Sequence, residues 1–303
     1  MAKLDPFHMM IVSQYFTGIS DFKNLENVHP KYKGNMLKFH FNPIPLTPEI
    51  LPLFPNVETL NVWSLFDYFY NFYDLVKDSL HPDIIKIKAQ KNTRKNFNSI
   101  KCEFVHLNIW YEVSYSRSLI TENGKISYKN ISLLEDERKR YGHIIPLNVN
   151  SLGDYCFYCD KTLSEIKIPN SVTRLNYECF YLCTSLTKVV LPKTLKEIQG
   201  LCFDGCKSLR EIKIPENVNI IGCRAFFNCE RISKVEIPGS VKVLRDYTFA
   251  NCESLREVVL HKGTVYISDN VFVKCRLNTI VIPKSVTHLE NTAFDENVLI
   301  IRN

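Results

Sequence analysis

The chain has 303 residues, of which 45% are hydrophobic and 23% are charged, and its formal net charge is +6. These values are ordinary for a soluble globular protein, and the length allows two domains or one elongated repeat domain. Because no basic stripe concentrates the charge and no apolar run is long enough to cross a bilayer, we expect no nucleic-acid binding and no membrane insertion.

The N-terminal segment, residues 1–35, has the pattern of two short helices. Residues 7–16 (FHMMIVSQYF) place apolar side chains on one helical face, and Ser20 or Asp21 suits the N-cap of a second helix. This pattern is consistent with a polar cap over the open end of a repeat array. The segment also resembles the opening of an F-box, with I-V-x-x-Y-F, then D-F-x-N-L-x-x-V and a basic-aromatic stretch at 31–33. That resemblance implies a Skp-type adaptor as a partner, so a cap and a docking segment are alternative interpretations.

Residues 36–143 form an irregular region. Two of its segments, VETLNV at 57–62 and LNI at 107–109, have the spacing of leucine-rich-repeat strands, so we expect degenerate repeats here. The segment DERKRYGHIIP at 136–146 then leads into a regular array.

The regular array occupies residues 144–303. Phenylalanine recurs every 23 residues, and after 22 at the last step, at Phe157, Phe180, Phe203, Phe226, Phe249, Phe272 and Phe294. A fixed period of about 20–30 residues is typical of a solenoid, in which each coil buries its apolar side only against its neighbours. We therefore predict a repeat solenoid whose single coils are unstable alone.

One coil can be read from residues 170–192. Its apolar positions recur in the next coil and are Val172, Leu175, Cys179, Phe180, Cys183, Leu186, Val189 and Leu191. The end of each coil, as in L-x-x-I-x-I at 163–168, alternates inward and outward side chains. Proline, which has no amide hydrogen, usually follows. We predict short parallel strands that stack along one face of the solenoid.

These residues resemble the BspA-like leucine-rich-repeat family. Its pattern I-P-x-S-V-T-x-I-x-x-x-A-F-x-x-C-x-S-L is matched by IPNSVTRLNYECFYLCTSL, IPGSVKVLRDYTFANCESL and IPKSVTHLENTAFDEN, within residues 144–297. The resemblance implies a leucine-rich-repeat solenoid. It also implies surface display, because the family is common among surface antigens of protozoan parasites and some bacteria. Asp160 departs from the pattern by replacing the repeat cysteine of the first coil, where a capping role is expected.

The cysteines follow the repeat. They are odd in number, 11 in all, and most stand three residues after or directly before a repeat phenylalanine: Cys183, Cys206, Cys229, Cys252, Cys275, Cys156, Cys179 and Cys202. Cysteine is readily buried, so both columns predict packing of free thiols. A zinc site needs four converging ligands, usually in two close pairs, and we predict no metal.

The strands offer a candidate binding surface, the strand face. Its members point outward between the inward positions and are Glu165, Lys167, Lys188, Val190, Glu211, Lys213, Lys234, Glu236, Glu257, Val259, Thr279 and Val281. The charges at the first outward position alternate in sign over five coils. Such charges either keep the sheet soluble and fix strand order or serve a ligand, and the exposed valines favour a ligand.

These features favour a non-enzymatic module that binds a protein ligand of unknown identity. No metal-helix motif, nucleophile signature or phosphate-binding loop occurs, so we predict no catalytic site and no cofactor. The alternatives are an intracellular F-box-like substrate adaptor of a ubiquitin ligase and a surface-displayed adhesion antigen. Because the N-terminus lacks a secretory pattern, we expect a cytoplasmic location, with unconventional export to the surface as the alternative.

Overall fold

The structure, a computed structural model, describes residues 13, 15–46, 50, 53–64, 86–88, 101–103, 106–119 and 124–303. Most of the helix predicted over residues 7–16 lies outside these ranges. The chain divides into two compact units, one of residues 1–113 and 117–130 and the other of residues 114–116 and 131–303.

The first unit combines a helix with short strands. Its described elements are α1 (Ile19–Val28), 3-10 helices at Pro30–Tyr32 and Asn35–Lys38, and strands β1 (Thr59–Val62), β2 (Lys86–Lys88), β3 (Lys101–Glu103) and β4 (His106–Ser114). Strands β2 and β3 are antiparallel. Strands β1 and β4 pair in parallel, with Leu60 opposite Leu107 and Val62 opposite Ile109, and these four side chains are buried. The two strands predicted from leucine-rich-repeat spacing are therefore present.

Helix α1 buries one face in an aromatic cluster. Phe22 and Leu25 are buried. The Phe22 ring lies edge-on to the rings of Phe39 and Phe54, with centroids 5.8 Å and 5.4 Å away. Edge-to-face packing at these distances is the favoured arrangement for aromatic rings. This side of α1 therefore belongs to the core of the first unit.

The start of α1 differs from the prediction. Neither Ser20 nor Asp21 is the N-cap, because the helix begins at Ile19 and Gly18 holds that position. Asp21 lies in the first turn instead, and its Oδ2 accepts the N–H of Gly18 at 3.2 Å. A carboxylate in the first turn can accept a hydrogen bond from the N–H of the N-cap residue and interacts favourably with the helix dipole. This explains why Asp21 lies within the helix and not at its N-cap.

The second unit is a solenoid built from very short strands. Boundaries between the units fall within α2 (Tyr115–Ser118) and β5 (Ile126–Leu133), and α3 (Glu135–Tyr141) follows in the second unit. The later strands are β6 (Ser151–Leu152), β7 (Glu165–Lys167), β8 (Arg174–Leu175), β9 (Lys188–Val190), β10 (Glu197–Ile198), β11 (Ile220–Ile221), β12 (Lys234–Ile237), β13 (Val243–Leu244), β14 (Glu257–Leu260), β15 (Tyr266–Ile267), β16 (Thr279–Ile282), β17 (His288–Leu289) and β18 (Leu299–Arg302).

The predicted strand ladder is confirmed. It consists of the parallel pairs β7–β9, β12–β14 and β16–β18. Ile166 lies opposite Val189, and both are buried, whereas their neighbours along the strand point outward. The coil after β9 contributes a single bridge, between Lys188 and Glu211. Apart from that coil, the coils from β7 to β18 each add one short strand to this ladder.

A second parallel ladder was not predicted. It runs through β6, β8, β10 and β11 and through β13, β15 and β17. Leu175, Ile198 and Ile221 lie in register there and are buried. Each strand has two residues, whereas an alternating pattern needs about four to be recognised, so the sequence carries no clear signal for it.

The repeat phenylalanines form one stacked column. Neighbouring rings from Phe157 to Phe294 have centroids 4.9–5.6 Å apart, and their planes differ by at most 7°. All but Phe294 are fully buried. Since parallel strands are spaced by about 4.8 Å, the column advances by one ring per coil and fills the interior continuously. The predicted apolar interior is confirmed.

The cysteine columns are packing elements as predicted. In the column that stands three residues after the phenylalanines, each thiol donates to the carbonyl of a phenylalanine in the preceding coil, from 3.0 Å for Cys183 to 3.3 Å for Cys252. Burial raises the pKa of Cys183 to about 12, so its thiol stays protonated. Cysteines whose side chains are described are free thiols.

The coils turn through residues in left-handed backbone conformation. One such residue stands two positions before each of the first six repeat phenylalanines, as in Tyr155 and Glu178, and others stand two positions after, as in Cys159. Their φ angles of 52–60° are uncommon for residues other than glycine, asparagine and aspartate. Backbone bonds between coils, such as Phe157 N–H to Cys179 O at 2.7 Å, hold this geometry. We call this side of the solenoid the corner.

Asp160 closes the first coil. It takes the place of the repeat cysteine, and its Oδ1 accepts the N–H groups of Thr162 and Leu163. Its Oδ2 bonds to Arg138 Nη1 at 3.0 Å and to His143 Nε2 at 2.9 Å. The Arg138 guanidinium also lies 5.3 Å from the centre of the Phe157 ring. Arg138 on α3 therefore covers the first ring of the stacked column, and we name Asp160, Arg138 and His143 the Asp160 cluster.

Candidate interaction surface

The strand face is a row of outward side chains on the first ladder. All of its residues are exposed except Val259, which is half-buried. The parallel register sets Glu165 beside Lys188, Lys167 beside Val190, Lys234 beside Glu257, and Glu236 beside Val259. Glu211 joins this row through its bridge to Lys188, and Thr279 and Val281 lie on β16. The backbone thus aligns the outward side chains within each strand pair, and Lys213 is exposed in the coil of Glu211.

Charge pairing is observed at the centre of the row. Lys234 Nζ lies 2.8 Å from Glu257 Oε1 and 3.3 Å from Glu236 Oε1. These hydrogen bonds, first that to Glu257, raise the pKa of Lys234 above its usual value. Exposed pairs of this kind add little to the stability of the fold.

Apolar side chains interrupt the charges. Val190 and Val281 on the strand face are 42% and 47% exposed. Ile220 and Val243 on the second ladder are also exposed, and the sequence reasoning did not identify them. Their signal was a β-branched residue at the same place in two successive coils. Both ladders therefore present apolar side chains to solvent.

The corner carries a cluster of tyrosines that sequence reasoning also missed. Tyr155, Tyr158 and Tyr177 are 39–41% exposed. The rings of Tyr158 and Tyr181 are stacked with centroids 5.3 Å apart, and Tyr155 lies edge-on to Tyr158 at 5.7 Å. The repeat spacing between Tyr158 and Tyr181 was a signal that would have identified half of the cluster.

Asp204 is a buried carboxyl in the corner. Burial raises its pKa to about 6, although the charge of Arg224 partly opposes this. The pKa of an aspartate in the unfolded chain is about 3.9, so the folded state binds this proton more tightly than the unfolded state does. The free energy of unfolding therefore falls as the pH rises from about 4 to 6.

Asp204→Asn should therefore raise the free energy of unfolding at pH 7 by about 1–2 kcal/mol and change it little at pH 4. Urea unfolding at both pH values measures this. Asp154→Asn, at an exposed corner position, serves as the control and should show no such difference. An equal effect of Asp204→Asn at the two pH values contradicts the assignment.

Two kinds of feature are absent from the described residues, a metal-binding cluster and a membrane-spanning helix. Within the part of the chain that the structure describes, no group of three or more histidine, cysteine, aspartate or glutamate side chains is placed to hold a metal ion. In the same part, no helix has the length and apolar character that a membrane span requires.

The sequence matches a known repeat family. The profile of the BspA type Leucine rich repeat region matches in six copies, over residues 69–187, 141–199 and 173–300. No curated protein matches the chain.

Several solved structures are similar. A leucine rich cell surface protein from Faecalibacterium prausnitzii is 32% identical, with a TM-score of 0.47, over 50% of this chain and 43% of that chain. A leucine-rich repeat protein from T. pallidum is 25% identical, with a TM-score of 0.36, over 48% of this chain and 77% of that chain. A leucine-rich repeat protein from Bacteroides ovatus is 24% identical, with a TM-score of 0.31, over 51% of this chain and 55% of that chain. The chain thus spans less than half the length of the first of these proteins.

Four observations indicate the same repeat family: the repeat period, the stacked phenylalanines, the parallel ladder and the profile match over most of the sequence. The chain belongs to the family of proteins with the BspA type leucine-rich repeat.

Proposed function

We propose that this protein is a non-enzymatic interaction module whose strand face binds a protein ligand. The observation that carries the proposal is the row of exposed charges of alternating sign, broken by exposed valines, on a ladder of parallel strands. The backbone of the ladder is held by inter-coil hydrogen bonds and by the buried phenylalanine column. A rigid surface loses little conformational entropy on binding.

The two kinds of side chain have different roles in this proposal. The lysines and glutamates select a partner of complementary charge and speed the encounter. Val190 and Val281, both exposed, supply apolar area that a ligand would remove from water. Repeat proteins commonly bind through such continuous surfaces.

Replacing Lys188, Lys213 and Lys234 with glutamate should abolish the charge complementarity between the strand face and its ligand. The fold should persist, because all three side chains are exposed. Proteins captured on the full chain would be identified by mass spectrometry, and direct binding would then be measured by calorimetry. We expect affinity to fall by about tenfold or more.

The matched control has the same change of charge outside the strand face, at the exposed residues Lys193, Lys262 and Lys284. It should bind as the unchanged protein does. Retained binding by the strand-face variant, or an equal loss in the control, would show that the strand face is not the site. Circular dichroism confirms that both variants are folded.

We also propose a reducing compartment, and hence the cytoplasm, as the location. The support is that the column thiols act as hydrogen-bond donors to carbonyl oxygens, which requires the reduced form. A count of free thiols in protein taken directly from cells, with imaging of intact and permeabilised cells, separates this location from surface display as an adhesion antigen.

The F-box-like adaptor ranks second as a proposal. It rests on the resemblance of residues 7–33, and part of that segment, Phe22 and Leu25, is buried in the first unit. Exposed residues such as Tyr15 and Val28 are left for docking. A pull-down of the full chain with a Skp-type adaptor decides between an adaptor and a module whose N-terminal segment is a cap.

A further inference from the structure

The corner of the first two coils concentrates aromatic surface. We name Tyr155, Tyr158, Tyr177 and Tyr181 the tyrosine corner. Tyr155 contacts Tyr158 and Tyr177 edge-on, at 5.7 Å and 6.1 Å between centroids, and Tyr158 stacks on Tyr181. Three of the four rings are about two-fifths exposed. Tyrosine gives large contact area at low entropic cost and is enriched among residues that dominate binding energy.

Carboxylates lie among these rings. Asp154 is exposed, and its Oδ1 accepts the N–H of Tyr177 at 3.1 Å. Burial and then a hydrogen bond to Glu178 raise the pKa of Tyr177. The charge of Glu178 also contributes to the raised pKa of Tyr181, after burial and the charge of Asp204. The charge of Arg224 partly opposes this rise at Tyr181. Asp154 and Glu178 therefore place their negative charge chiefly beside Tyr177.

The same corner three coils later shows what such a site holds. There, the Arg224 guanidinium lies 5.2 Å from the centre of the Phe227 ring and 5.3 Å from that of Tyr247. By the 23-residue repeat, Arg224 corresponds to Tyr155, Phe227 to Tyr158, and Tyr247 to Glu178.

At this later position the chain thus supplies its own cation, Arg224, to the aromatic rings by cation–π contact. In the first two coils, the equivalent positions hold rings and a carboxylate but no basic residue. No basic side chain of these two coils therefore takes the place that Arg224 has in the later coil.

We propose that the tyrosine corner binds a lysine- or arginine-bearing segment of a partner protein, at a surface distinct from the strand face. The basic side chain lies against the tyrosine rings, and Asp154 and Glu178 pair with its charge. A long apolar stem with a charged end suits both kinds of contact. The strand face can bind its own ligand independently, so the two surfaces are tested separately.

The experiment selects short random peptides displayed on phage against the full chain and measures the affinity of the enriched peptides. The key variant is Tyr155→Asn, Tyr158→Ala and Tyr177→Asn. Each new residue already stands at the same place in a later coil, as Asn270, Ala250 and Asn291, so the backbone conformation is retained. Circular dichroism and the urea unfolding midpoint establish that the variant is folded.

We expect the enriched peptides to be rich in lysine or arginine. The key variant should bind them about tenfold more weakly or worse, and Glu178→Gln should weaken binding about threefold and reduce its salt dependence. Tyr247→Asn, the same kind of change at a later corner, should bind as the unchanged protein does, and so should the strand-face variant.

Three outcomes overturn the proposal. They are enrichment of peptides without basic residues, failure to enrich any peptide, and unchanged affinity of the key variant. Loss of peptide binding in the strand-face variant would also count against it, because it would place these peptides on the strand face.

Discussion

Phe203→Ala should lower the free energy of unfolding by about 3–5 kcal/mol. The Phe203 ring is fully buried and stacks on Phe180 at 5.1 Å and on Phe226 at 5.3 Å. Truncation removes both contacts and leaves a cavity that neighbouring coils cannot close, because their spacing is set by backbone hydrogen bonds. Urea unfolding followed by circular dichroism measures the loss.

The same substitution should also make the unfolding of the solenoid less cooperative. In a solenoid, stability is a sum of coil and neighbour terms, so a gap in the middle of the column uncouples the coils on its two sides. Phe227→Ala is the control, since this ring is half-buried at the corner, and its cost should be much smaller. A loss of under about 1 kcal/mol for Phe203→Ala would contradict the stacked column as the main source of stability.

Asp160→Ala should lower the free energy of unfolding by about 3–5 kcal/mol, because it leaves the charge of Arg138 largely buried and without its Asp160 partner. The Asp160 and Arg138 side chains are only 5% and 13% exposed, which limits screening by water. The substitution also removes the acceptor for the N–H groups of Thr162 and Leu163. Asp160→Cys, which restores the residue found in later coils, should be nearly as harmful. Urea unfolding at pH 7 gives both values.

The effect of Asp160 depends on pH in a defined direction. Burial opposes its ionisation, but hydrogen bonds from Thr162 and His143 and the charge of Arg138 outweigh burial and lower its pKa. A lowered pKa gives stability that is complete above the unfolded value of about 3.9 and is lost as the pH falls through the folded value. The difference between the unchanged protein and Asp160→Ala should therefore shrink below pH ~4. Asp154→Ala is the exposed control, and a cost equal to that of Asp160→Ala would refute the Asp160 cluster as the closure of the first coil.

The features that could be predicted recur in every coil, whereas those that could not depend on very short strands or on contacts between residues far apart in sequence. The phenylalanine column and the first ladder repeat with a fixed period, so one apolar pattern specifies every coil. The second ladder has two residues per strand, which is below the length at which alternation is visible. The outward positions of the strand face followed from alternation alone, whereas its binding role stays a proposal.

The Asp160 cluster shows the limit most clearly. The loss of the repeat cysteine marked the first coil as atypical, but nothing near Asp160 in sequence identified Arg138, which is 22 residues away, as its partner. The tyrosine corner is similar, because its residues come from two coils and meet only through left-handed turns.

The sequence by itself determined the solenoid, its period, its buried column and the outward row of the strand face, because these depend on apolar residues that recur at one spacing. Only the tertiary structure decided the second ladder, the closure by Arg138 and the tyrosine corner. These depend on contacts between coils and on turn geometry. No local sequence pattern specifies which residues from different coils meet in space.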